Sequence, residues 1–164
     1  MITLRHATIA DITAINDIYN HFIVNSAITF DIEPWDIERR TSWFNQMQLN
    51  PQYIVLVALK DNEVVGFAFN SPYNTKAAYS HSTEVTIYKS PACNLRGVGK
   101  SLYKRLLAEL TAKQYHRAYA LITLPNTPSF GLHASLGFNQ VGLLSEVGEK
   151  NGALHDVALF EKAL

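Results

Sequence analysis

A chain of 164 residues, 48% hydrophobic and 17% charged, has the size and composition of one soluble globular domain spanning residues 1–164, with room for a sizeable core. Its 14 Lys and Arg cancel its 14 Asp and Glu, which removes the electrostatic case for nucleic acid or an anionic membrane as a partner. The single cysteine, Cys93, excludes an internal disulfide and fits a reducing cytoplasm; no apolar run is long enough to span a bilayer, and Arg5, His6 and Asp11 leave no signal-peptide core.

Ile2–Arg5 alternates as a short strand, and Thr8-Ile9-Ala10-Asp11 opens a helix in the manner of a capping box. Ile12, Ile15, Tyr19, Phe22 and Ile23 then recur along one face. Residues 25–34 break the period and predict a loop, in which Thr29 and Phe30 are candidates to line a site; Phe30 reads equally well as core. A second helix starts after Pro34, near Asp36. It is expected to bury Ile37, Trp43 or Phe44, and Met47, and to stop before Asn50-Pro51, because a residue preceding proline disfavours the helical region. Tyr53–Leu59 and Val64–Phe69 form an apolar hairpin turned by Lys60–Glu63. The polar loop Asn70–Lys76 leads into a β-branched and aromatic central strand, Thr83–Tyr88, which can begin as early as Ala78.

The stretch that follows carries the chemistry. Lys89–Asn94 connects the strand to Leu95-Arg96-Gly97-Val98-Gly99-Lys100-Ser101, after which Leu102, Leu106 and Leu110 recur at helical spacing with Tyr103 and Leu107 beside them. A strand, a glycine loop and a helix start bring N–H groups and the positive end of the helix dipole to one spot, which suits a phosphate or pyrophosphate. Gly99-Lys100-Ser101 matches the end of a P-loop, but Asn94 stands where that motif needs its first glycine, and the next strand, Ala118–Leu124, lacks a magnesium-binding acid. Alternatively the two glycines do no more than shape a tight connection. His116–Leu124 reads as a strand. Asn126 or Thr127 caps a helix with Pro128 in its first turn and Leu132 and Leu136 inward, and Gly137 closes it in the left-handed conformation. Phe138–Leu144 and Leu154–Phe160 are the last strands, joined through Gly148–Gly152.

This order, β-α-α-β-β-β-α-β-α-β-β with the glycine loop after the fourth strand, resembles the GNAT superfamily of acetyltransferases over nearly the whole chain. Five stretches resemble its phosphinothricin N-acetyltransferase-like branch: Ile18-Tyr19-Asn20 with Ser26 and Thr29-Phe30; Ala78-Tyr79 ahead of Glu84; Leu124-Pro125-Asn126 with Ser129; Leu132-His133 before Gly137-Phe138; and Lys150-x-Gly152 with Asp156. The chain departs from the pattern at Asn94, where the loop usually opens with Gln or Arg, at Asn74 and Lys76, where the branch carries two arginines, and at Leu154, often a tryptophan. The resemblance implies an α/β (α+β) fold: a mixed, mostly antiparallel central sheet with helices on both faces, splayed at its central strands. It implies an acetyl-CoA-dependent N-acetyltransferase without a metal. Val85, Thr86, Ile87 and Tyr88 would meet the thioester and pantetheine arm. Arg96, Gly97, Val98, Gly99, Lys100 and Ser101 would hold the pyrophosphate, and Asn126 and Ser129 the pantetheine. The implied acceptor is a small amine of the phosphinothricin, methionine sulfoximine or methionine sulfone type, surrounded by Thr29, Phe30, Tyr73, Asn74, Lys76 and Tyr79, in a homodimer.

An amine attacks a thioester only when neutral, and an α-amine has a pKa of about 8 in water, so a base helps at neutral pH. By the resemblance Glu84 is that base, its pKa raised by desolvation; taken alone, Glu84 reads as an exposed strand residue in a salt bridge. His133, seven residues after Asn126, would protonate the departing thiolate; it reads equally as a helix histidine satisfied by a backbone carbonyl. The six histidines show no i,i+4 pair with a nearby acid, so no metal site is expected. Two other classes remain: a P-loop-type phosphotransferase, and a catalytically silent CoA-binding module, against which Glu84 argues.

Overall fold

Strands and helices follow one another as β1 (Ile2–His6), α1 (Ile12–Asn25), α2 (Ile37–Leu49), β2 (Val55–Lys60), β3 (Glu63–Pro72), β4 (Ser82–Lys89), α3 (Val98–Ala112), β5 (Arg117–Thr123), α4 (Thr127–Ala134), β6 (Asn139–Lys150) and β7 (Ala153–Ala163), in a computed structural model that describes residues 1–164. The seven strands form one sheet in the order β1-β2-β3-β4-β5-β7-β6. Every neighbouring pair is antiparallel except β4 and β5, which run parallel because α3 carries the chain across between them. Two hairpins turn on two residues each, Asp61-Asn62 and Asn151-Gly152. All four residues have positive φ, the conformation whose twist matches the strands and which Asn, Asp and Gly adopt at least cost.

Alternation along β2 shows why the sheet is covered on both sides. Leu56 and Ala58 face one cluster, with α3 through Leu102, Leu106 and Leu110. Val55, Val57 and Leu59 face the other, with Ile12, Ile15 and Ile18 of α1 and Phe44 and Met47 of α2. Helix α4 joins the α3 face through Phe130 and Leu132. No helix is long and apolar enough to cross a membrane.

Several local expectations give way to the structure. The capping box holds, with Thr8 N–H donating to Asp11 Oδ2 at 2.8 Å, but it opens a single 3-10 turn ahead of α1. Ile37 is 49% exposed, because Asp36 caps α2 (its Oδ1 accepts the Arg39 N–H at 2.7 Å) and turns the first residue to solvent. The buried position on that helix falls to Arg40, whose guanidinium lies over the rings of Trp35, Tyr19 and Trp43. The central strand starts at Ser82 and not at Ala78, since Tyr79 and Ser80 close a 3-10 turn by donating to Lys76 and Ala77 carbonyls. Strand β6 runs on to Lys150 through a bulge between Leu144 and Gly148. Glu146 sits there at φ +52, with its N–H bonded to Asp156 Oδ1 at 2.7 Å.

Helix α3 is fastened to the sheet by residues with no exposure, so truncating Leu106 to Ala leaves a cavity between α3 and β2–β4. Urea unfolding of Leu106→Ala is expected to show a loss of about 2–5 kcal/mol.

Candidate functional site

Strand β4 pairs with β3 over seven residue pairs and β5 pairs with β7 over seven, but β4 and β5 meet over only three: Ser82–Arg117, Thr83–Ala118 and Glu84–Tyr119. Beyond Glu84 the two strands part. Backbone groups on alternate residues of β4 therefore lose their ladder partners on that side. The Tyr103 hydroxyl on α3 takes one of them, donating to the Val85 carbonyl at 3.2 Å. The opening between the strands is a cleft of about 740 Å³, lined by residues 85–88 of β4, 96–100 of the following loop, and Asn126, Ser129 and His133 of the α4 segment.

At the cleft's loop end, Gly97 caps α3 at φ +82, a conformation that only glycine adopts without strain. The first hydrogen bond of the helix runs from Ser101 N–H to Gly97 O at 2.9 Å. The amides of Val98, Gly99 and Lys100 precede that bond and have no intrahelical acceptor, so they are free to donate to an anion. Ser101 is a correction: its amide is spent inside the helix, its side chain is exposed, and it does not line the cleft. A Cβ on Gly99 would lie 3.4 Å from Leu132 and 3.6 Å from Ile87, so the glycine sits between the helix start and the cleft wall.

Asn126 caps α4, its Oδ1 accepting the Ser129 N–H at 3.2 Å, which leaves its Nδ2 to donate elsewhere. His133 is 2% exposed, enclosed by Tyr103, Phe138 and Phe160. Its Nδ1 lies 2.7 Å from the Ser129 carbonyl and must be the protonated nitrogen, so Nε2, which has no partner, is an acceptor. Burial pushes the imidazole below its usual pKa, against the opposing pull of the Ser129 carbonyl. A neutral ring with this tautomer has no proton to give at Nε2. The Ser129 carbonyl contact and the burial of the ring fit the backbone-satisfied reading of His133.

Glu84 occupies the last paired position before the strands part, with Ser71 opposite on β3 and Tyr119 on β5. It is half-buried, takes part in none of the chain's ion pairs, and its carboxyl is raised above the usual carboxylate range by burial alone. None of the residues expected around an acceptor lines the cleft. Tyr73 lies against Tyr119 at 4.5 Å and Tyr79 at 5.7 Å, on the Glu84 face. Asn74 turns its Oδ1 to the Lys76 N–H at 3.0 Å, and both residues are exposed on their loop. Thr29 is buried, its hydroxyl 3.0 Å from Tyr19 Oη, and Phe30 lies over Gly148 of β6.

Sequence reasoning missed Phe22, Ile28, Tyr103 and Leu121 as cleft residues. Phe22 and Tyr103 looked like core because their helical spacing is that of core. The available signal was Tyr103's hydroxyl, which a buried tyrosine must bond to something.

Comparison with known proteins adds four findings. The profile of the Acetyltransferase (GNAT) family matches residues 15–138. The chain is 40% identical to a phosphinothricin N-acetyltransferase of Streptomyces coelicolor, over 99% of this chain and 96% of that one. It is 32% identical to an L-methionine sulfoximine/L-methionine sulfone acetyltransferase of Salmonella typhimurium, over 99% and 94%. A crystal structure of a GNAT superfamily phosphinothricin acetyltransferase from Sinorhizobium meliloti in complex with acetyl-CoA superposes with a TM-score of 0.95 at 32% identity, covering 99% of this chain and 88% of that one.

Because burial raises the Glu84 pKa above its unfolded value, its ionised form opposes folding at neutral and alkaline pH, and that opposition disappears below the ordinary carboxylate range. Glu84→Gln should therefore melt at a higher temperature than wild type at pH 8, with the difference closing as pH falls towards 4. Calorimetry at the two pH values checks the sign.

Proposed function

The chain belongs to the GNAT family of acetyltransferases, and within it we propose an N-acetyltransferase that moves an acetyl group from acetyl-CoA to the α-amine of a small amino-acid-like acceptor, with Glu84 as the base. The observation that carries this reading is the single placement of Glu84 at the point where β4 and β5 separate, beside a cleft whose far end presents three free amides. In this reading the pyrophosphate of acetyl-CoA lies on the amides of Val98, Gly99 and Lys100, with Arg96 and Lys100 adding charge at the mouth. The pantetheine arm runs between the strands past Asn126 and Ser129. The thioester reaches Ile87 and Tyr88, where freed backbone donors of β4 stabilise the tetrahedral oxyanion.

The acceptor arrives as an ammonium. Glu84, directly or through a water, takes a proton from it, and the neutral nitrogen attacks the thioester carbon. Collapse of the intermediate breaks the C–S bond while the nitrogen gives up its second proton to water, leaving the neutral amide; the thiolate leaves and is protonated from solvent at the open cleft, and Glu84 returns its proton to solvent. His133 supports the cleft wall and offers Nε2 as an acceptor. The acceptor class follows the relatives, whose names specify phosphinothricin and methionine sulfoximine or sulfone. Asn74 and Lys76 give a phosphinate no bidentate partner, so neutral heads such as a sulfone or sulfoximine suit this chain better. The exposed Leu143, Leu144 and Leu154, on β6 and β7, support a homodimer through that edge of the sheet, and the free Cys93 supports a reducing cytoplasm.

A thiol-release assay across amino acids and their sulfoximine, sulfone and phosphinate analogues tests the activity. Acceptor-dependent CoA release is expected, and its absence with every acceptor would leave only a CoA-binding module. Glu84→Gln should lower the rate by about a hundredfold or more at pH 7 and recover in part at pH 9, where free amine is abundant; a wild-type rate at both pH values would make Glu84 structural. For the cofactor, a Cβ at Gly99 already touches Leu132 and Ile87 of the cleft wall, and valine adds two methyl groups there. Gly99→Val should raise the KM for acetyl-CoA by about tenfold or more while that of the acceptor changes little.

A further inference from the structure

We propose that Lys150 is a positioning residue that, from the end of β6, holds the loop of residues 26–35 against the cleft and so sets how the acceptor is presented. The proposal rests on the acetyl-transfer reading above. Lys150 is 3% exposed, in no ion pair, and its Nζ donates to the backbone carbonyl of Thr29 at 2.8 Å, a contact spanning 121 residues of sequence. A buried ammonium with one bonded partner carries a desolvation cost that this hydrogen bond offsets only in part. The charged group that faces it is Asp31, which counters the downward push of burial on the Lys150 pKa.

A second grip lies two residues earlier on the same strand. A Cβ on Gly148 would sit 2.2 Å from the Phe30 ring, so the ring lies directly on the β6 backbone and only glycine admits it. The hairpin end is closed by His155, whose Nε2 is 3.1 Å from the Lys150 carbonyl and whose ring is 6.2 Å from Phe30. The strand thus holds two adjacent residues, Thr29 by its carbonyl and Phe30 by its ring.

From Thr29 the contacts lead to the cleft. The Thr29 hydroxyl lies 3.0 Å from Tyr19 Oη, which donates to Asp31. The Tyr19 ring meets Tyr88 edge-on at 5.1 Å. Tyr88 lines the cleft, as does Ile28, the residue before Thr29. Lys150 itself lies behind the loop and lines no part of the cleft, so it acts through Thr29 and its neighbours. This gives a physical role to Lys150 in the Lys150-x-Gly152 motif; Gly152, at φ +72, supplies the turn.

Lys150→Met keeps the apolar stem and removes the donor and charge. With methionine sulfone as acceptor, its KM for the acceptor should rise by about tenfold or more, as expected for losing a charged hydrogen bond, with the acetyl-CoA KM unchanged. Amide exchange should quicken in residues 26–35 and stay the same in α3. Lys150→Arg, which retains a donor, should recover part of the acceptor KM. An unchanged acceptor KM, an equal rise in both KM values, or a Lys150→Arg protein as impaired as Lys150→Met would overturn the proposal. Should Lys150→Met not fold, Gly148→Ala, which pushes Phe30 off the same strand, is judged by the same KM split and exchange criteria. If the wild-type protein releases no thiol with any acceptor, the acetyl-transfer reading fails, and exchange alone decides: faster exchange confined to residues 26–35 sustains the clamp, unchanged exchange rejects it.

Discussion

The junction between β4 and β5 is the constraint from which the rest of the architecture follows. It is the only parallel pairing in the sheet, and it closes over three residue pairs while each strand keeps seven pairs with its antiparallel neighbour. A parallel ladder is the weaker kind, so when the sheet twists around two helical layers this is the joint that opens. Opening it inside a core would strand backbone donors and acceptors. The chain limits that cost in two ways: Tyr103 reaches up from α3 to the Val85 carbonyl, and the remaining groups face a cleft that a ligand can fill. The same separation aims the first turn of α3 into the cleft, so the unpaired strand edge and the free helix amides face one occupant.

Charge is used locally rather than globally. The chain carries no net charge, and the glycine-loop end of the cleft presents backbone amides beside a left-handed Gly97. Glu84 shows the opposite tactic. It sits half-buried without a cation, so burial raises its pKa and costs stability, at the point where β4 and β5 part.

Much of this was legible in the sequence, because it depends on periodicity and on backbone geometry. The β4–loop–α3 unit, the Asn126 cap of α4, the Gly137 stop and the mixed sheet splayed at its centre all follow from spacing or from glycine, proline and asparagine chemistry, or from the resemblance these support. What was not legible depends on tertiary packing. Ile37 was expected in the core on period alone, yet the Asp36 cap rotated it outward and a cation went in. Ser101 looked like part of the phosphate loop, but its amide had already become the first rung of the helix. His133 was ambiguous until the Ser129 carbonyl fixed its tautomer.

The loop between α1 and α2 is the extreme case. Its far end is held by Asn16 and Asn20, which both donate to the Trp35 carbonyl at 2.9 and 2.8 Å, while Asn20 Oδ1 accepts the Trp35 N–H at 2.9 Å. Asn16 also accepts from Arg40 Nε at 3.2 Å, and the Arg40 guanidinium lies 4.0 Å above the Trp35 ring. Burial lowers that guanidinium to about 10, yet no carboxylate is bonded to it. The faces of Trp35, Tyr19 and Trp43 stand in for a counter-ion, a substitution that a planar, weakly hydrated arginine tolerates and a lysine ammonium would not. Asparagines on one helix, an arginine on the next and a lysine from the last hairpin therefore converge on one irregular segment. The glycine-loop end of the cleft is made of backbone, which many sequences can reproduce once the glycines are in place. The segment of residues 26–35 is held by particular side chains from distant parts of the chain. That difference explains in physical terms why the glycine loop can be read from a short motif, whereas the placement of this segment emerges only when the whole sheet has brought Lys150, Thr29 and Tyr88 together.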